Sequence, residues 1–172
     1  LDERGEFRVF IAMRYWHPLS DETARDVVAY DPDRVCLLPL YPQFSTSTTG
    51  SSLTAWNLAA NKAGIDVTTT AICCYSTDSG FISAQAEIVT EAVERCKSAA
   101  GGHAPRVLFS AHGLPQKIID SGDPYQWQVE LTAEAVAAEA NLTDDSWVVC
   151  YQSRVGPLKW IGPETKAEIE RA

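Results

Sequence analysis

The chain has 172 residues, of which 45% are hydrophobic and 22% are charged, and its formal net charge is −9. This composition is typical of a folded protein and excludes disordered and fibrous chains. The negative charge disfavours nucleic acid as a partner, and the sequence contains no apolar run of the ~20 residues that span a bilayer. We therefore expect a folded, cytoplasmic protein with a small-molecule substrate.

The cysteines and the first residue indicate cellular context and completeness. The five cysteines include no Cys-x-x-Cys pair, so neither a disulfide framework nor a zinc site is indicated, and we expect reduced thiols. The chain starts at Leu1, and its only methionine is Met13. On this basis we expect an internal fragment of a longer protein, truncated at both ends.

Apolar strand-like runs alternate with helical patterns along the whole chain, which is typical of an α/β fold with parallel strands flanked by helices. A first helix is expected after Ser20, with Asp21 and Glu22 at the positive end of its dipole. A second is expected from about Ser51 to Gly64, because glycine commonly ends a helix. The predicted strands cover residues 7–15, 34–40, 66–72, 106–110 and 146–151.

Two more helices are expected in the second half of the chain. The third covers residues 79–99 and ends before Gly101-Gly102, with a predicted apolar stripe at Phe81, Ile88, Ala92 and Cys96. The fourth begins at Asp123-Pro124, where Asp123 caps the helix and Gln126 closes a capping box. Its predicted buried face consists of Val129, Ala133, Val136, Ala137 and Ala140.

The three histidines differ in position. His103 lies in a loop and is expected on the surface, and His17 precedes Pro18 at a strand end, where a structural role is favoured. His112 follows the apolar run 106–110, and ligands of open α/β sheets bind at the carboxyl ends of strands. Gly113 permits a close approach by another group, so the pattern alone leaves a functional and a structural role for His112 equally open.

Two other strand-end loops carry polar or aromatic residues. The run Ser-Thr-Ser-Thr-Thr-Gly-Ser-Ser at residues 45–52 lies between a strand and a helix, where hydroxyl and N–H groups could hold an anion such as a carboxylate. Helix capping explains part of this run, and it is neither a P-loop nor a dinucleotide-binding glycine motif. Residues 151–163 form a loop rich in Gly and Pro that contains Trp160. Together, the loops could form one crevice.

Segments 14–19, 40–52, 110–115, 122–125 and 152–160 occur in an order that resembles the ferrochelatase (protoheme ferro-lyase) family. The most specific are Ser-Ala-His-Gly-Leu-Pro at residues 110–115 and Gln-Ser-Arg-Val-Gly at residues 152–156. The resemblance implies two Rossmann-like (chelatase-like) lobes that face a porphyrin cleft. Residues 1–100 would be the latter part of the first lobe, and residues 101–172 the start of the second.

The resemblance also implies a reaction, the insertion of ferrous iron into protoporphyrin IX or coproporphyrin III in heme biosynthesis. His112 matches the family's metal-site histidine and would act as metal ligand and catalytic base, because imidazole suits Fe(II) and accepts protons. Six further residues match positions of the substrate cleft, and we expect them to bind porphyrin: Arg14, Tyr15, Tyr41, Ser47, Ser153 and Trp160.

The chain also departs from the complete family pattern. The family's second metal-site residue, a glutamate, lies downstream of this sequence, and its porphyrin-binding lip lies upstream, so we expect the fragment to be inactive alone and prone to aggregate. Some members carry a [2Fe-2S] cluster with a cysteine where this chain has Thr46. We therefore expect no cluster and regard Fe²⁺ as a substrate.

Two other functions are considered beside the enzyme. A non-catalytic porphyrin- or heme-binding protein would use the same cleft without chemistry, and loss of metal insertion in a His112→Ala variant that still binds porphyrin would exclude it. A dinucleotide-dependent oxidoreductase is disfavoured, since no glycine fingerprint follows a strand. Porphyrin preference, oligomeric state and peripheral membrane association are left open by the sequence.

Overall fold

A computed structural model describes residues 6–171, which divide into two compact units. The first unit contains the described parts of Leu1–Tyr41 and Ser45–Cys73, and the second those of Pro42–Phe44 and Cys74–Ala172. Each unit has one small sheet of parallel strands packed with helices, which confirms the α/β class. The lobe boundary expected near residue 100 stays a prediction.

The first unit is built from α1 (Ser20–Tyr30), β1 (Arg34–Leu37), a π-helical turn (Thr46–Gly50), α2 (Ser51–Ala63) and β2 (Thr68–Ala71). Strands β1 and β2 pair in parallel, with Arg34 opposite Thr68. Helices α1 and α2 pack together, and β1 lies against them. The buried residues of this core are Ala24, Val27, Trp56, Ala59 and Ala60.

The second unit contains α3 (Ser79–Ala99), β3 (Val107–His112), α4 (Gln116–Asp120), α5 (Tyr125–Glu139), β4 (Trp147–Gln152) and α6 (Thr165–Arg171). Strands β3 and β4 pair in parallel along six residues each, from Val107 opposite Trp147 to His112 opposite Gln152. Helices α3 and α5 share one core around Ile82, Ala86 and Val136, and α5 packs against β4 through Val129 and Tyr151.

Several predicted helices are confirmed. Local chemistry sets their ends, and local chemistry can be read from the sequence. Helix α1 begins at Ser20, and α2 ends at Gly64, whose φ of 78° is in the left-handed region that glycine adopts without strain. Helix α3 has the predicted bounds, and Asp78 caps it by accepting a hydrogen bond from the N–H of Phe81 at 3.1 Å. The buried face of α5 is also the predicted one, with Ala140 partly buried.

The strand predicted over residues 7–15 is wrong. Residues 7–12 form no strand, and Met13 makes only an isolated bridge with Leu19. Alternating Phe7, Val9 and Ile11 are exposed. The alternation predicts an extended chain, but a strand also needs a partner that supplies N–H and C=O groups, and this segment pairs with no strand among residues 6–171. The other four strands are confirmed with shifted ends.

Two details of the helices also differ from expectation. The buried stripe of α3 consists of Ile82 and Ala86, while Ile88 is exposed, because the helix turns a neighbouring face to α5. In α5, Asp123 accepts a hydrogen bond from the N–H of Tyr125, but the Gln126 amide donates to Glu130 and closes no capping box. His103 is exposed, as predicted. Among residues 6–171, the helices lack the length and apolar character needed to span a membrane.

The Asp78 cap gives a stability prediction for the second unit. Asp78→Ala removes the acceptor for the Phe81 N–H and is expected to lower the free energy of unfolding by about 1 kcal/mol. Asp78→Asn should leave stability close to that of the unmodified chain, since an amide oxygen accepts the same bond. Urea denaturation of the three proteins measures the difference, and equal losses for Ala and Asn would contradict the capping role.

Candidate active site

The candidate site of the second unit lies at the carboxyl ends of β3 and β4. His112 is the last residue of β3 and is paired with Gln152, the last residue of β4. Its side chain is exposed, while Ala111 before it is half-buried and packs against the core around Tyr151. The strand therefore presents an imidazole to solvent at the edge of the sheet where ligands of parallel sheets bind.

The backbone around His112 is held from two sides. The hydroxyl of Tyr125 donates a hydrogen bond to the carbonyl oxygen of His112 at 3.0 Å, and the N–H of Gly113 donates to the carbonyl oxygen of Gln152 at 2.8 Å. A Cβ at position 113 would lie 2.9 Å from that same Gln152 oxygen. Only glycine fits this approach, so Gly113 sets the position of the histidine before it.

Trp160 lies beside this junction. A Cβ atom placed on Gly113 would lie 3.4 Å from Cε3 of Trp160, so the Trp160 ring packs close to this glycine. The indole N–H of Trp160 donates to the carbonyl of Val155 at 3.2 Å. Ser153 follows β4 directly, is exposed, and has a φ of 68°. The structure therefore brings His112, Ser153 and Trp160 to one edge of the β3–β4 sheet.

Two tyrosines under this edge were not singled out from the sequence. Burial raises the pKa of Tyr125, against the effect of its hydrogen bond to His112. Burial also raises the pKa of Tyr151, and the nearby Glu130 carboxylate raises it further. Both hydroxyls are thus kept protonated, so that Tyr125 can donate to the His112 carbonyl and Tyr151 to the Glu130 carboxylate. Tyr125 belongs to the Gly-Asp-Pro-Tyr segment, but its bond to His112 spans 13 residues and has no local signal.

In the first unit, Arg14 is held by Ser51. The Nε of Arg14 donates to the Ser51 hydroxyl at 2.8 Å, and its guanidinium lies 4.7 Å from the ring centre of Tyr15. A cavity of about 400 Å³ opens here, and its lining consists of Arg14, Thr46, Gly50, Ser51, Thr54, Ala55 and Leu58. A guanidinium beside several hydroxyls suits a carboxylate group.

Ser47 and Tyr41, the other predicted residues of this unit, are not among the residues that line the cavity. Ser47 is half-buried in the π-helical turn, where its hydroxyl and N–H contact the Ser45 hydroxyl at 2.7 Å and 3.1 Å. Tyr41 is exposed before the turn. The run 45–52 therefore acts partly as its own cap, as the sequence suggested, while Ser51 and Thr54 face the cavity.

His17 is bonded to the first turn of α1. His17 Nδ1 lies 2.9 Å from Glu22 Oε2, and the same oxygen accepts the N–H of Leu19. The hydrogen bond from the Leu19 N–H is the main cause that lowers the pKa of Glu22, and the bond with His17 is the second. His17 thus holds a helix-capping glutamate, which is the structural role that the sequence favoured. Residues 6–171 contain no group of three or more His, Cys, Asp and Glu side chains that could hold a metal ion.

Parallel strands flanked by helices define an α/β protein, and the exposed imidazole with an aromatic loop beside it makes the sheet edge the candidate ligand site. The sequence model of the ferrochelatase family matches residues 1–172, and the chain belongs to this family.

Relatives of the chain are proteins named ferrochelatase. It is 58% identical over 167 residues to that of Caulobacter vibrioides, an alignment that covers 97% of this chain and 46% of the relative. Identity is 51% to the ferrochelatase of Phenylobacterium zucineum, covering 97% of this chain and 47% of that protein. Identity is 50% to the ferrochelatase of Hyphomonas neptunium, in an alignment that covers 96% of this chain and 44% of that protein. The chain therefore spans less than half the length of these relatives.

The close approach at Gly113 predicts a steric penalty for any larger residue. Gly113→Ala is expected to lower the free energy of unfolding by about 1–3 kcal/mol, because the Gln152 carbonyl is backbone and cannot move aside without disturbing the β3–β4 ladder. Gly80→Ala is the matched control, since a Cβ there meets only the Asp78 side chain at 3.4 Å. Urea denaturation that shows equal stability for both variants would contradict this account.

The buried tyrosines predict a loss of stability at alkaline pH. Because the folded state raises their pKa above the usual value, the unfolded chain loses these protons first. Their contribution to the free energy of unfolding is complete below about pH 10, and it declines as the pH rises toward the folded-state pKa. Urea unfolding between about pH 9 and about pH 11 should show a shallower decline for the double variant Tyr125→Phe/Tyr151→Phe. An unchanged slope would contradict the assignment.

Proposed function

We propose that this chain forms part of a ferrochelatase that inserts ferrous iron into a porphyrin, either protoporphyrin IX or coproporphyrin III. The observation that carries the proposal is the exposed imidazole of His112 on a fixed backbone at the sheet edge. Membership of the ferrochelatase family supports it.

His112 is proposed as metal ligand and general base. A neutral imidazole is a good ligand for Fe(II) and accepts protons near neutral pH. Insertion also removes two pyrrole N–H protons. The ring has one free lone pair, so it would accept a proton only after the ion has passed to the porphyrin, and it would release each proton to the solvent to which it is exposed. The carbonyl of His112 makes the structural hydrogen bond to Tyr125, which leaves the exposed ring for chemistry.

The porphyrin would be bound by aromatic and polar side chains. In the second unit, the Trp160 ring provides a flat apolar surface for a macrocycle, and Ser153 offers an exposed hydroxyl at the same edge. In the first unit, the Arg14 guanidinium suits a porphyrin carboxylate. Tyr15, Tyr41 and Ser47 are proposed as further substrate contacts.

Iron is a substrate in this proposal, and no [2Fe-2S] cluster takes part. The position where some family members have a cluster cysteine is Thr46 in this chain. We place the reaction in the cytoplasm, with porphyrin and ferrous iron as partners and without nucleic acid. The net charge of −9 agrees with the last point.

A chimera tests the role of His112 directly. We expect activity when this chain replaces the matching segment of the Caulobacter vibrioides ferrochelatase, to which it is 58% identical. His112→Ala in the chimera should lower the rate of ferrous iron insertion, followed by porphyrin absorbance, by about a hundredfold or more. Porphyrin affinity, measured by fluorescence quenching, should change little.

His103→Ala is the matched control, because His103 is exposed in the same unit and lies in a loop ahead of β3. It should retain the activity of the unmodified chimera. Full activity of the His112→Ala chimera would remove this residue from the mechanism. A chimera that binds porphyrin tightly but inserts no iron would favour the carrier function instead.

A further inference from the structure

The loop between β4 and α6 is closed on itself at its two ends. It leaves β4 after Gln152 and returns to the same strand, where the N–H of Tyr151 donates to the carbonyl of Pro163 at 2.8 Å and Tyr151 forms a parallel bridge with Glu164. We refer to residues 153–164 as the closing loop. Its first residue, Ser153, and Gly156 both have left-handed φ angles, 68° and 69°, which turn the chain back toward the sheet.

Arg154 connects the two halves of the closing loop. Its Nη2 donates to the carbonyl oxygen of Ile161 at 3.2 Å, and its Nη1 lies 3.7 Å from a carboxylate oxygen of Glu164. A Cβ on Gly162 would lie 3.1 Å from Nη2, so the guanidinium fills the space against this part of the backbone. The planar guanidinium contacts a carbonyl and a carboxylate at once, which the single ammonium of lysine does less well.

The second half of the closing loop is the part that reaches His112. Ile161 is 1% exposed, and its N–H donates to the carbonyl of Leu114 at 3.0 Å. The N–H of Gln116 donates to the carbonyl of Lys159 at 2.8 Å. These bonds place Trp160, which lies between Lys159 and Ile161, with its ring close to Gly113.

We propose that Arg154 is a positioning residue: it holds the closing loop so that Trp160 stays against Gly113, next to His112. The inference rests on the proposed function only for its effect on catalysis. Arg154 already contacts Ile161 and Glu164 and is directed into the loop, so it acts through Trp160 and not by binding an anionic group of the substrate.

Amide hydrogen exchange of the chimera with the Caulobacter vibrioides ferrochelatase tests the placement without activity. Arg154→Ala should speed exchange of the Ile161 N–H by about tenfold, because the loop loses its cross-link. The Val107 N–H, which donates to Ser146 at the other end of the ladder, should be unchanged. Arg154→Lys should increase the Ile161 exchange rate by less, and it replaces the alanine variant in this test if that variant does not fold.

Arg95→Ala is the matched control, because Arg95 pairs with Glu91 on the exposed surface of α3 in the same unit. It should leave Ile161 exchange unchanged. Unchanged Ile161 protection in both Arg154 variants would overturn the proposal.

A double-mutant cycle in the Caulobacter chimera tests the effect on catalysis. Arg154→Ala should lower kcat/KM by about tenfold, mainly through KM, if a porphyrin face packs on Trp160. In a Trp160→Ala background, the same substitution should cause little further loss, since both changes remove one interaction. Independent, multiplying losses would indicate direct substrate contact by Arg154 and overturn the proposal. An inactive unmodified chimera contradicts the proposed function instead, and hydrogen exchange then decides the role of Arg154 by itself.

Discussion

The second unit depends on the contact between two backbones where β3 and β4 end. The N–H of Gly113 donates to the carbonyl of Gln152 at 2.8 Å. A Cβ at position 113 would lie only 2.9 Å from the same oxygen, which leaves no room for a side chain there. Because strands of a parallel sheet point in the same direction, this contact joins both strand ends at the edge where ligands bind. The positions of His112, Ser153 and the closing loop all follow from it.

The structure separates the groups that hold the site from those available for chemistry. The carbonyl of His112 is taken by the Tyr125 hydroxyl, while its imidazole is exposed. Burial raises the pKa of Tyr125, because a buried phenolate is poorly solvated, and so keeps the hydroxyl able to donate. The metal ligation proposed for His112 needs a free nitrogen lone pair, and a rigid backbone supplies orientation without using the ring. In the same way, Ser51 holds Arg14 through its Nε, and the other guanidinium nitrogens are the ones proposed to bind a porphyrin carboxylate.

The predictions that succeeded depend on short-range chemistry. Gly64 ends α2, and α3 has its predicted bounds because a capping aspartate and a glycine pair lie at its ends. Predictions that needed a partner were less reliable. Residues 7–12 have the alternation of a strand but no ladder partner in the described chain, and the buried face of α3 was decided by contact with α5. Periodicity specifies a pattern of side chains, but not the neighbour that buries them.

By itself, the sequence determined the α/β class, the order of most elements and the residue types at the strand ends, because periodicity, caps and glycine positions are local properties. It also indicated His112, Ser153 and Trp160, which the structure brings to one edge. Only the tertiary structure decided that Tyr125 bonds to His112, that Arg154 connects the closing loop, and that Ser51 holds Arg14. The Tyr125 and Ser51 bonds join residues of different elements, so they depend on how whole elements pack. The Arg154 bonds lie within one loop, but that loop is folded by its backbone bonds to Tyr151 and Leu114.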